Sequence, residues 1–417
     1  MKTKLLPLLL LLLSVGASAQ ISRKEIYDNL NIAGVNYYIY PGPSQKVLTP
    51  APAGYEPFYI SHFGRHGSRY MTENTPYVFA IGKLDTAARM GILTPTGEAV
   101  LEKLKTAYAD ALNRDGELTA LGGRQHREIA RRMFQRFPEL LSQPLQVDAR
   151  SSTSNRCMIS MFYFCQELQG LNPALDIRML ASKRDMPFVV QNTRIKPAET
   201  QEMAEYEKKM EAMMEKSIKP ARMMKSLFTD LPKAESFIDG QELAEALFNI
   251  AADLQNLPEL NLSLTDLFTK EEWFAIWKVS NASILLGCGL LPGTTPVYQQ
   301  QLLVRDSIVS TADRVIRTGV PSLTLRFSHD GTVLPLAYLM GLKEAMGGRA
   351  DLENLHRYIS VDKLIPMAAN IQLVFYRKAG SDDILVKFLL NENETSLPIK
   401  TDVAPYYHWQ DVKNYWQ

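Results

Sequence analysis

The stretch ISHFGRHGSRY, residues 60–70, places His62, Arg65, His66 and Arg69 within eight residues. Apolar residues precede it, which reads as a β-strand, and Gly64 and Gly67 interrupt it, which reads as a tight turn. A turn chosen only for its backbone has no use for guanidinium groups. In an open α/β sheet, however, ligands bind beyond the carboxyl ends of the strands, where helix N-termini add unpaired N–H groups. Two further places share this design. LQVDA (145–149), a strand candidate, runs into Arg150, and SLTLRFS (322–328) runs into His329 and Asp330. Basic strand ends that converge on one point suit a phosphoryl group, whose oxygens match arginine's fork.

Residue types then assign the chemistry. His66, between Arg65 and Gly67, can attack phosphorus in line through a neutral imidazole nitrogen. Gly67 permits close backbone approach. Arg65, Arg69 and Arg150 would hold the non-bridging oxygens, with His329 as a further donor. Asp330 is the candidate acid for the leaving alcohol and the later base for water. Its carboxyl must keep a proton near the working pH, whereas nearby arginines lower its pKa until a dianionic phosphate neutralises them. An acidic optimum is therefore expected. Lys183 and Arg184, in ASKRDMPF, are the first candidates for the extra cations that a polyphosphorylated substrate needs, with an exposed loop pair as the alternative. His62 reads as a core histidine. His126, among Arg124, Arg127, Arg131 and Arg132, reads as part of a solvated basic helix face.

RHGSR resembles the signature of the histidine acid phosphatases, the second branch of the histidine phosphatase superfamily, and HDG (329–331) resembles that family's distal His-Asp pair. LTALGGRQHREIARRM (118–133) is similar to its Leu-Thr-x-x-Gly-x-x-Gln segment. VDARSSTSNRCMISMFYF (147–164) resembles its third-arginine segment, which puts Arg150 in the pocket. The resemblance implies an α/β fold with a mostly parallel central sheet flanked by helices, a phosphoglycerate mutase-like core, and an inserted helical cap. It also implies a phosphate pocket of Arg65, His66, Arg69, Arg150 and His329, a phosphohistidine on His66, and no metal or cofactor. RHGSRY and TVLPLAYLMGL (332–342) are similar to segments of the multiple inositol polyphosphate phosphatases and histidine-type phytases. Those inositol phosphatases carry His-Ala-Glu where this chain has His329-Asp330-Gly331, and proline where it has Met71.

The rest of the chain sets bounds. Lys2 and Lys4, the apolar run 5–13 and Ala17-Ser18-Ala19 form an expected signal peptide over residues 1–19, which points to a periplasmic or secreted protein. No later run is long enough to span a bilayer, so stable membrane insertion is not expected. Without Lys2 and Lys4 the formal charge falls from +1 to −1, which argues against nucleic acid as a partner. Cys157, Cys165 and Cys288 read as buried small hydrophobes. Residues 20–180 and 301–417 alternate strand and helix patterns, whereas 181–300 is helical, with Met203, Tyr206, Met210, Met213 and Met214 on one packing face. The expected activity is metal-independent hydrolysis of a small phosphorylated substrate, inositol polyphosphates first. A broad acid or sugar phosphatase and a non-catalytic phosphate-binding protein are the alternatives.

Overall fold

The computed structural model describes residues 23–191 and 200–417, so the expected signal peptide lies outside the described residues. The strands are β1 (Tyr55–Arg65), β2 (Leu145–Ser151), β3 (Leu175–Leu180), β4 (Ser322–Ser328), β5 (Asn370–Lys378), β6 (Ile384–Leu390), β7 (Asn393–Thr395) and β8 (Tyr406–His408). They form one eight-stranded sheet in the order β3-β2-β4-β1-β5-β6-β7, with β8 also on β6. The first four run parallel, β5 is antiparallel to β1, and β6 turns back, so most strands share one direction. The runs NIQLVFYR and ILVKFLL, which the polar turn KAGSDD marks in the sequence as a hairpin, are β5 and β6, and Gly380 takes the left-handed position between them at φ 72°.

β1 is buried from Pro57 to Arg65 and therefore shows no polar-apolar alternation, as a strand covered on both faces should not. On one face Ile60, Leu323, Leu325 and Phe327 meet the helices Ala120–Arg136 and Asn155–Leu171 through Ile129, Phe164 and Leu168. On the other, Tyr59, Phe63, Phe375 and Phe388 pack under the helices Leu302–Thr318, Asp330–Leu339 and Trp409–Trp416. Each buried phenylalanine of this kind contributes ~1.5–3 kcal/mol of burial free energy. The block between β3 and β4 holds the helices Gln201–Ser217, Pro220–Leu227, Gly240–Asp253 and Lys270–Gly287. They share a core with Thr75–Arg89 and Pro95–Ala111 from the β1–β2 connection. Tyr206 and Met210 are buried there, and Met203, Met213 and Met214 pack against them. The three cysteines are buried and unpaired. Among the described residues no helix is long and apolar enough to cross a membrane.

The sequence pattern puts Met158, Met161, Phe162, Cys165 and Leu168 on one apolar helix face, offers Ser151 to Ser154 as its capping hydroxyls and leaves His126 solvated, and the structure corrects all three. The helix Asn155–Leu171 buries Cys157, Met161, Phe164, Cys165 and Leu168 but leaves Phe162 47% exposed. Its apolar stripe is rotated because Phe164, not Phe162, reaches Phe327 and His62. The serines before it do not cap it through their side chains. Ser154 is the N-cap with no side-chain bond, and the Ser152 hydroxyl contacts His329 instead. Finally, His126 is buried rather than solvated, and it shares an aromatic cluster with Phe164 and Phe327. Only the arginines face out, toward Glu259, Gln166, Glu167 and Glu392.

Among the described residues His62 and His126 have no hydrogen-bond partner for either ring nitrogen, and burial lowers both pKa values to about 3. The unfolded chain takes up these protons near its ordinary 6.5 while the native state excludes them, so stability is lost as pH falls below about 6.5. Two buried carboxyls act oppositely: burial raises Asp253 to about 7 and Asp362 to about 6, and each stabilises the fold as pH falls. A His126→Phe variant isolates one contribution. At about pH 5 it should recover ~2 kcal/mol relative to its difference from wild type at about pH 7, read from urea midpoints at the two pH values.

Candidate active site

The parallel ladder between β1 and β4 sets Arg65 opposite Ser328. Each strand then delivers a histidine from its carboxyl end. His66 donates its backbone N–H to the Ser328 carbonyl (2.9 Å), and His329 is the N-cap of the helix Asp330–Leu339. The two imidazoles meet edge-on with centroids 5.6 Å apart. Residues 263 positions apart thus share one site at a helix N-terminus, where unpaired N–H groups favour negative charge.

The segment 118–125 holds the RHGSR loop in place. Thr119 caps the helix Ala120–Arg136 and donates its hydroxyl to the Ser68 carbonyl (3.2 Å). Gln125 accepts from the Ser68 N–H (2.8 Å) and donates to the Ser68 hydroxyl (2.9 Å). Glycine is required at both contact points. A Cβ on Gly67 would lie 2.5 Å from the Gly122 carbonyl oxygen, and one on Gly122 would lie 2.3 Å from that of Ser68. Ser160 completes the clamp by accepting from the Gly67 N–H (3.1 Å).

The His66 Nδ1 lies 2.9 Å from the Gly67 carbonyl oxygen. A carbonyl only accepts, so Nδ1 carries the proton and Nε2 keeps its lone pair. Burial first, then Arg65, Arg69, His329 and Arg156, hold the His66 pKa well below the usual histidine range. These surroundings favour the neutral ring. His329 is lowered to about 4 by burial and Arg156, with Asp330 opposing. Arg156 Nη2 points at His329 Nδ1 (3.5 Å), which leaves His329 Nε2 to donate to the Ser152 hydroxyl (3.2 Å).

Arg65 is fully buried. Its Nη1 donates to the Ile365 carbonyl (2.7 Å), and its Nη2 lies 3.0 Å from Asp330 Oδ2. The Nε atoms of both Arg65 and Arg156 are buried donors with no partner among the described residues. Arg69 stacks on Tyr37 at 5.1 Å. Asp330 is 27% exposed. Burial alone would raise its pKa, but Arg65, His66, a hydrogen bond from Asn36 Nδ2 (3.0 Å) and Arg69 hold the carboxyl well below the usual carboxylate range. Asn36 follows Val35, a β-branched residue at φ 51°, ψ −105°, so a strained backbone aims this amide.

The structure brings Arg65, His66, Arg69, His329 and Asp330 together. It does not bring Arg150. Strand parity puts Arg150 on the same face as Asp148, and its guanidinium is spent on Asp148 (3.0 and 3.2 Å) and Asp185 (3.1 Å). Arg156 stands beside the histidines instead. Lys183 and Arg184 are both exposed, and the nearest carboxylate to Arg184 is Asp185 at 3.6 Å. Met71, flagged for replacing a proline, is buried in the core. Sequence reasoning missed Arg156, Asn36, Tyr37, Ser152 and Gln125.

A family model described as the histidine phosphatase superfamily (branch 2) matches residues 64–391, more than three quarters of the chain. The chain belongs to this family. Among its histidine phosphatase relatives, the human multiple inositol polyphosphate phosphatase 1 is 27% identical over 402 residues, covering 85% of this chain and 77% of that protein. The Gallus gallus protein of the same name is 24% identical, covering 99% and 93%. Among solved structures, the Bifidobacterium longum multiple inositol polyphosphate phosphatase in complex with phosphate has a TM-score of 0.74 at 18% identity, covering 92% of this chain and 97% of that one. A phytase from D. castellii has a TM-score of 0.67 at 14% identity, covering 96% and 91%. These likenesses support the fold.

The exchange of Arg150 for Arg156 has a measurable consequence. Arg156→Ala should lower kcat/KM for p-nitrophenyl phosphate by about 100-fold or more, the scale of losing one oxyanion donor. Arg150→Ala should leave kcat/KM within about tenfold, yet destabilise the fold by ~1–3 kcal/mol because Asp185 stays buried with its main partner gone. Paired kinetics and thermal melts on the two variants check both halves.

Proposed function

We propose that the protein is a metal-independent phosphomonoesterase that works through a phosphohistidine on His66. One observation carries the reading: His66 Nδ1–H is locked on the Gly67 carbonyl, so Nε2 is unprotonated among the guanidinium groups of Arg65, Arg69 and Arg156. Nε2 attacks phosphorus, the P–O bond to the leaving alcohol breaks, and that oxygen takes a proton from Asp330. Asp330 then accepts a proton from water as the water displaces His66, which releases inorganic phosphate and restores both groups. Asp330 holds no proton while Arg65 faces it unopposed. A dianionic phosphate on the arginines offsets that charge and raises the carboxyl toward a working pKa.

Inositol polyphosphates are the leading substrates, because the relatives matched over most of this chain are named for them and the solved relatives include a complex with inositol hexasulfate. Lys183 and Arg184, exposed on the loop after β3, are the proposed contacts to the remaining phosphates. Action outside the cytoplasm rests on the apolar run 5–13 and the small residues after it. A cavity of about 520 Å³ favours a second reading. It shares Asn36 and Tyr37 with the site, its other lining residues include Glu207 and Glu211, and none is a lysine or arginine. A leaving group seated there would be a sparsely charged polyol, as in a broad acid or sugar phosphatase.

Purified protein at mildly acidic pH with EDTA separates these readings. Faster phosphate release from phytate than from glucose 1-phosphate or glycerol phosphate supports the first, and the reverse order supports the second. His66→Ala should abolish turnover on every substrate. Asp330→Asn should slow glycerol phosphate by about 100-fold or more while sparing p-nitrophenyl phosphate, whose leaving group needs little protonation. Equal loss on both would remove Asp330 as the acid.

A further inference from the structure

Among the described residues β3 is an edge strand paired only with β2. Its side chains divide by parity. Asp176 and Arg178 point to one face, while Leu175, Ile177 and Met179 point to the other, beside the helix Asn155–Leu171. Met179 and Phe162 are 44% and 47% exposed and, with Ile177 and Gln166, line a groove of about 360 Å³ along the edge. Asp176 and Arg178 are exposed and make no ion pair among the described residues; the neighbouring Asp148 is taken by Arg150. Charges on an edge strand ordinarily keep it from pairing. Here their order has a different effect.

We propose that β3 is a homodimer interface, in which two copies pair antiparallel across a two-fold axis at Ile177 and join their sheets into one. Two-fold symmetry and the strand's period of two leave few registers, because a residue of β3 must sit on the axis. Centring on residue 176 sets Asp176 against its own copy, and centring on 178 sets Arg178 against its own copy. Like charges directly opposite are destabilising. Centring on Ile177 sets Asp176 of each copy opposite Arg178 of the other, two favourable pairs at cross-strand distance. The same register places Leu175 opposite Met179 on the other face, and the two-fold brings both copies of Phe162 to the same side of the joined sheet. Charge complementarity and the apolar groove thus select one partner, a second copy of this chain, in one register.

Sedimentation velocity on the full mature chain at about 100 μM, where a micromolar dimer is nearly all assembled, tests this. The wild type should be a dimer. Asp176→Arg alone and Arg178→Asp alone should each weaken it by about tenfold or more, because each faces two like charges across the axis. An equimolar mixture of the two variants should restore the dimer, since one copy then presents two arginines and the other two aspartates. Both positions are exposed and lie outside the site, so unchanged thermal midpoints verify the fold of each variant. A monomeric wild type, a dimer indifferent to both reversals, or a mixture that stays monomeric would overturn the proposal.

Discussion

A guanidinium group wholly removed from water must have its charge and its donors answered, and the chain answers those of Arg65 only in part. The Ile365 carbonyl takes one N–H and the Asp330 carboxylate supplies the counter-charge, but Nε finds no acceptor among the described residues. Arg156 is half-buried, and its Nε is likewise a buried donor with no acceptor among the described residues. Burying such charges costs several kcal/mol per ion, a cost that folding meets elsewhere through two large cores on the two sheet faces. What results is a set of donors already desolvated and aimed, which an anion can use without reorganising the protein.

That arrangement holds only if the loop carrying Arg65, His66 and Arg69 cannot relax. The β1–β4 ladder fixes one side of it. On the other side, Thr119 and Gln125 grip Ser68 through four hydrogen bonds, three of them to its backbone groups, and Gly122 leaves room for its carbonyl. The same tautomer-fixing logic governs both histidines: His66 Nδ1 faces a carbonyl that only accepts, and His329 Nδ1 faces the Arg156 guanidinium that only donates. Burial first, and then the surrounding positive charge, keep the rings neutral, so under the proposed mechanism the cations that hold phosphate also maintain the lone pair that attacks it.

Much of this was legible because it is encoded at short range. Strand patterns stopping at Arg65 and at Ser328 placed the ladder, and the charged residues just after them placed the site. The third arginine was not legible by the same rule, since Arg150 and Arg156 flank one serine-rich turn. Yet two physical signals distinguish them. Arg150 sits two residues from Asp148 on one strand face, which predicts an ion pair, whereas Arg156 lies in the first turn of a helix, whose Cα–Cβ bonds tilt toward its N-terminus and the strand ends. Asn36 carried no signal at all, because its partner Asp330 is 294 positions away and an isolated asparagine in a loop says nothing about its neighbour. His126 was misread because four surrounding arginines dominated the composition while the helix period turned it inward.

Asp330 has both carboxylate oxygens engaged by donors of the protein. It opens its helix, and one carboxylate oxygen accepts the N–H of Gly331 at 2.9 Å. The other is shared by Arg65 and Asn36. Every one of these contacts favours the ionised form, and together they outweigh burial, which alone would raise the carboxyl's pKa. Under the proposed mechanism the opposing contribution is the substrate's own charge, because a phosphate dianion competes for Arg65 and repels the neighbouring carboxylate. Proton uptake then follows phosphate binding instead of preceding it. Asn36 sets how much of the carboxylate's stabilisation survives that competition, because its amide is a neutral donor that the phosphate charge cannot cancel. A strained Val35 is the backbone feature that keeps this donor in reach, which ties the acid's readiness to a loop remote in sequence from both catalytic motifs.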